Sequence, residues 1–257
     1  MTTDQHNRPT EAAQVTAGVQ TIRRAGVIAG SALLAVTVLA ASAYVVAIGG
    51  LVVDGDAAKT ASNIAEAEGR FRIGVACFAL VAVLDVVVAW ALRVLFEPVS
   101  EIVSGLAAAA RVAYAAVLLV ATGHLVVASQ LLTGPERRAG FTSSELQAQG
   151  LLQIDAFNAV WQVGLGLFAL HLLLLAYLVI RSSYVPTWLG VLLVAAGSGY
   201  LIDSFGLILV RDYSANVAGF LFVGEALLML WLLARGRRIR LEDDSPPAAD
   251  GQQERQK

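Results

Sequence analysis

Six long apolar runs decide what this chain can fold into. They lie at about 25–50, 71–96, 103–132, 156–180, 188–210 and 216–234. Each reaches or nearly reaches the ~20 residues that a helix needs to cross the hydrocarbon core of a bilayer. Outer-membrane strands alternate apolar and polar residues, and these runs do not. Backbone groups in lipid must bond within their own segment, which leaves helices as the solution. The expected fold class is all-α: a polytopic membrane protein, a bundle of six transmembrane helices over residues 23–240. Residues 1–22 and 241–257 are polar and read as disordered cytoplasmic tails.

Composition agrees. Hydrophobic residues make up 57% of the 257 and charged residues 15%, against about a quarter charged in an average soluble domain. The net charge of −2 gives no basic face for nucleic acid. Cys77 is the single cysteine, so no intramolecular disulfide can form. Arginine far outnumbers lysine and alanine is abundant, a usage that suggests high-GC bacterial coding.

Most connections are short. Residues 54–70 are polar and suit a short helix at the interface. Residues 133–155 contain a helix start where Ser143 or Ser144 would cap a turn ahead of Gln147. Pro98 and Pro186 mark two tight loops. Lys and Arg near helix ends set orientation. The densest groups are Arg23–Arg24 before the first run and Arg235, Arg237, Arg238 and Arg240 after the last. An even number of crossings puts both ends on one side, expected to be the cytoplasmic face of the cell membrane. Ala41-Ser42-Ala43 resembles a signal-peptidase site, but the apolar run continues through Val53, so an uncleaved first helix is expected.

Ionisable residues inside the runs carry the functional information, because such groups usually face a bundle interior or a water-filled cavity. Asp85 sits alone in LVAVLDVVVAW. Counted from the inner helix ends at 1.5 Å per residue, Asp85, Arg111, His171 and Glu225 all lie about 12–17 Å above the cytoplasmic boundary. They form a midplane polar cluster, a candidate ion or proton site or a set of structural pairs. Two carboxylates, an arginine and a histidine leave one negative charge to be met by a proton, a protonated His171 or a cation. Helices two and three should be adjacent and antiparallel, which brings Asp85 and Arg111 within reach of an ion pair.

A second polar group is expected nearer the outer face: His124, Gln162 and Asp203. Asp203 shares a stripe with Ala196, Gly199 and Gly206, which favours a hydrogen bond to a neighbouring helix. Gly26-x-x-x-Gly30 fits a helix-packing motif. No metal site is expected, and His124 and His171 differ too much in depth to ligate haem together. No cofactor is expected. His-Glu-x-x-His, Gly-x-Ser-x-Gly and phosphate-binding glycine loops are missing, so no catalytic residue is singled out.

The stretch FALHLLLLAYLVIRSSYVPTWLGVLLVAAGSGYLIDSF, with DGDAAKTASNI before the second run and LRVLFEPVS after it, resembles the bacterial multi-pass family catalogued as domain-of-unknown-function family 4386. The resemblance spans about 23–235 and implies a helical integral membrane protein with no assigned activity. Asp85, Arg111, His171 and Asp203 match polar positions of its pattern. Three functions follow as expectations. First is a non-catalytic membrane protein with an interaction or stress-related role. Second is a small proton- or ion-coupled transporter using the midplane cluster. Third is an intramembrane enzyme. The lipid bilayer is the expected partner, with a protein partner or a second copy of the chain left open.

Overall fold

The computed structural model describes residues 8–134, 140–215, 217, 219 and 223–239, and of residues 8–17 the helical path alone. The tail expected at 241–257, with Arg240, Arg137 and Arg138, lies outside the described residues. Among the described residues there are seven α-helices: α1 (Arg8–Ala43), α2 (Ala57–Glu66), α3 (Glu68–Phe96), α4 (Glu101–Thr133), α5 (Ser143–Arg181), α6 (Thr187–Leu209) and α7 (Val223–Arg235). Among the described residues, five helices are long and apolar enough to cross a membrane: α1 with its continuation, α3, α4, α5 and α6. The sixth expected span, 216–234, is represented by α7. Its 13 residues extend about 20 Å, and part of 216–222 is outside the described residues.

The solvent of this bundle is legible in what it exposes. Trp90 is 56% exposed, Val120 64% and Ile202 54%, whereas Asp85, Arg111 and His171 are at most 3% exposed. A water-soluble protein distributes these the other way. Apolar rims around a charged interior are what a bilayer demands, because lipid offers no hydrogen bonds.

The helices pack in chain order around a closed ring: α1 on α3, α3 on α4, α4 on α5, α5 on α6, α6 on α7, and α7 back on α1. Arg23 Nε donates to the Ile239 carbonyl at 2.8 Å, so the chain enters and leaves the ring at one end. Gly26 and Gly30 act as the motif suggests. A Cβ on Gly30 would lie 3.0 Å from Leu233 N, and one on Gly26 would lie 3.4 Å from Gly236 Cα. These glycines let α1 rest almost directly on the backbone of α7. The expected interfacial helix is α2, capped by Asp56, whose carboxylate accepts from Lys59 N at 2.8 Å. It lies against α5 and α4.

Both ends of α1 differ from the expectations. Helix α1 starts at Arg8, inside the stretch expected to be a disordered tail. Pro9 does not prevent this, since proline is tolerated in a first turn. At its other end α1 widens into a π-helical turn at Tyr44–Ile48. Helix α5 starts at Ser143, beside the helix start expected within 133–155, and runs without a break into the apolar run expected from 156. Its first turns are polar and helical, so hydropathy marks where the apolar run begins and not where the helix begins.

The cap is Thr142 rather than Ser143 or Ser144. Thr142 Oγ1 accepts from Glu145 N, and Glu145 Oε2 accepts from Thr142 N at 2.7 Å, a complete capping box. These bonds from the Thr142 N–H and hydroxyl hold the Glu145 carboxyl below its ordinary 4.5. A lowered folded value means the contribution is present above the ordinary pKa and is lost as pH falls through the lowered one. The first turn of α5 should therefore show a smaller protection factor, the exchange rate corrected for its intrinsic pH dependence, in acid than at neutral pH. Thr142→Ala should show the small protection factor at both. Equal protection of the variant and the wild type at neutral pH would contradict the cap.

Candidate functional site

Arg111 is the centre of the buried polar network. Its Nε and Nη2 both donate to Asp85 Oδ1, at 2.9 and 2.5 Å. Its Nη1 lies 3.1 Å from His171 Nε2. On the other side of the imidazole, Nδ1 lies 2.9 Å from the Ala107 carbonyl. A carbonyl only accepts, so His171 Nδ1 carries the proton. Its Nε2 then accepts from the guanidinium, which assigns the neutral tautomer. The three groups together carry no net charge. The expected Asp85–Arg111 ion pair is thus formed, on adjacent helices α3 and α4, and α5 adds His171 to it. The Phe168 ring lies 5.2 Å from Arg111 Cζ and caps the guanidinium face.

Glu225 stands apart from that balance. It enters from α7, and among the described residues its Oε1 is the one enclosed side-chain oxygen or nitrogen with no hydrogen-bond partner. The Tyr200 hydroxyl stands beside the carboxyl, and Arg111 and Asp85 are near enough to act on it electrostatically. An enclosed polar atom left unsatisfied costs about 1–3 kcal/mol, so Oε1 marks a place where something else belongs.

That place is a cavity of about 450 Å³ at the middle of the ring. All six packed helices line it: α1 with Leu33 and Thr37, α3 with Phe78 and Asp85, α4 with Arg111 and Tyr114, α5 with Trp161, Gln162 and Phe168, α6 with Tyr200 and Asp203, and α7 with Glu225 and Met229. Three of the four midplane residues therefore share one cavity. His171 lies behind them, completely buried, as the anchor of Arg111.

The outer group expected from the sequence does not hold together. Gln162 and Asp203 line the same cavity as the midplane residues, and Ser204 Oγ donates to the Gln162 carbonyl at 2.7 Å. His124 lies elsewhere, its Nδ1 2.7 Å from Gln153 Oε1. Gln153 sits on the polar first turns of α5, ahead of the apolar run. Asp203 is buried as expected, and two of its bonds run to the segment after α6. Its Oδ1 accepts from Tyr213 Oη at 2.7 Å and from Val217 N at 3.1 Å, both in the segment after α6. The physical reason is Gly206. A Cβ there would lie 2.5 Å from the Tyr213 ring, so the small-residue stripe receives the chain's own returning loop.

The aromatic lining was not anticipated. Its sequence signal is the helical spacing of rings and charges: Phe78 with Asp85, Arg111 with Tyr114, Trp161 with Phe168, and Tyr200 with Asp203, each pair three or seven residues apart on one face. Trp161 Nε1 donates to Tyr114 Oη at 3.0 Å. The Phe168 ring packs 4.9 Å from Tyr114 and 5.4 Å from Tyr200. No three His, Cys, Asp or Glu among the described residues gather as a metal site would require.

The family described as "Domain of unknown function (DUF4386)" matches residues 28–236. The chain belongs to this family. The matched region contains every cavity residue named above. An uncharacterised protein of Archaeoglobus fulgidus is 33% identical to this DUF4386 chain over 160 residues, covering 62% of the chain and 82% of that protein. No solved structure matches.

Proposed function

We propose that this DUF4386 protein is a non-catalytic, multi-pass protein of the cell membrane, with both termini cytoplasmic, whose working part is the central cavity. The cavity handles a proton or a small cation, as in a coupled transporter. The observation that carries this reading is Glu225 Oε1, enclosed and unpartnered beside a neutral Asp85–Arg111–His171 network. A bundle that used its charges only as glue would leave no carboxyl oxygen over. The terminal arginines and the Arg23–Ile239 contact support the orientation.

A second reading retains the non-catalytic protein and drops transport. It is favoured by the Asp85–Arg111–His171 network itself, which satisfies its own charges and suits structural pairing. Proteoliposomes with an entrapped pH-sensitive dye separate the two under an imposed membrane potential. Wild-type protein should move protons or exchange them for cations, and Glu225→Gln should lower that flux at least tenfold. Flux equal to that of protein-free liposomes would remove the transport reading and leave the structural one.

A further inference from the structure

We propose that the central cavity is a binding site for an organic monocation: a protonated amine or quaternary ammonium with apolar substituents. This rests on the reading of the cavity as a cation site and names the chemical class that fits it.

Charge comes first. Asp85 is neutralised by Arg111, and the neutral His171 takes the remaining guanidinium arm. Glu225 is then the carboxyl of the cavity wall left without a guanidinium partner among the described residues. An anionic ligand would meet this carboxyl and find the arginine engaged. A cation meets the enclosed Oε1 of Glu225.

The wall material then selects among cations. A small metal ion requires a shell of oxygen or nitrogen ligands, and no three His, Cys, Asp or Glu among the described residues gather to supply one. A proton alone requires no space, yet the cavity holds about 450 Å³, within the ordinary range for small organic ligands. Its surface is largely ring and hydrocarbon, with Phe78, Tyr114, Trp161 and Tyr200 around it and Leu33 and Met229 on the α1 and α7 side. Aromatic faces beside a carboxylate recognise alkylammonium groups, because the ring faces attract positive charge without the strong hydration that a metal ion must shed. The apolar wall takes the substituents.

Phenyltrimethylammonium and its neutral isostere tert-butylbenzene differ in charge and hardly in shape. Equilibrium dialysis of the full-length protein in zwitterionic lipid nanodiscs should show saturable phenyltrimethylammonium binding, near one per chain. Glu225→Gln should weaken it at least tenfold, and Trp161→Leu at least threefold, while tert-butylbenzene should bind wild type and Glu225→Gln alike. Thermal unfolding of each variant confirms that it is folded before it is scored. No saturable binding, equal affinity of wild type and Glu225→Gln for the cation, or preference for benzenesulfonate would overturn the proposal. Binding without flux in proteoliposomes supports the site and contradicts transport. Proton flux without phenyltrimethylammonium binding overturns the organic-cation assignment and leaves the proton reading standing.

Discussion

Asp85→Leu and Arg111→Leu should each destabilise the protein by about 3–5 kcal/mol, and the double variant should lose clearly less than their sum. Each single change abandons a buried charge. Without Asp85, Arg111 keeps the imidazole, the Phe168 face and the nearby Glu225 carboxyl but no direct carboxylate bond among the described residues. Without Arg111, Asp85 loses both of its guanidinium bonds and His171 Nε2 loses its donor. Removing both leaves a hydrocarbon contact between α3 and α4, at the expense of one unsatisfied imidazole nitrogen. The measurement is a double-mutant cycle read as unfolding in detergent. Strictly additive losses would falsify the coupling.

Gly224→Val should be almost as damaging, by a different route. A Cβ on Gly224 would lie 2.7 Å from the Leu192 carbonyl oxygen and 2.8 Å from its carbon. Backbone on α6 cannot rotate aside, so α7 must move out. Overpacking of this kind costs about 1–3 kcal/mol, and valine belongs at the upper end. Because Glu225 follows directly, the displacement also withdraws its carboxyl from the cavity. Cation flux or binding should fall at least tenfold in the same variant. Gly123→Ala is the control: nothing lies within 4 Å of a Cβ there, and the helix should gain about 0.5–1 kcal/mol from the better helix former. Gly224→Val with wild-type stability and wild-type binding would show that this close approach does not seat Glu225.

The distribution of legible and hidden features follows the physics of each. Asp85, Arg111 and Glu225 were readable as neighbours because a lone polar residue in an apolar run stands out, and the helical rise fixes its depth. Adjacent antiparallel helices then brought Asp85 to Arg111. His171 was readable in depth but not in role, since the Ala107 carbonyl that fixes its tautomer carries no sequence signal. His124 stands apart from Gln162 and Asp203 because its partner Gln153 lies on polar turns of α5, where hydropathy stops while the helix continues. The bonds of Asp203 to Tyr213 and Val217 were not readable, because Gly206 offers the same small surface to a loop as to a helix. The cavity depends on distances across a ring of six helices, and those are not written in any one of them.

The most direct measurement compares two carboxyls of the cavity wall, Asp85 and Glu225, chemically. Dicyclohexylcarbodiimide is apolar, enters the bilayer and modifies protonated carboxyl groups, adding its mass as a stable acylurea. A carboxylate held by a guanidinium stays ionised and resists it. Treatment in membranes followed by peptide mass mapping should find the label on Glu225, not on Asp85, with loss of flux in proportion to labelling. Arg111→Leu should open Asp85 to the reagent. Labelling of Asp85 at the same rate as Glu225 in the wild type, or an unreactive Glu225, would contradict a cavity built around one unpaired carboxyl.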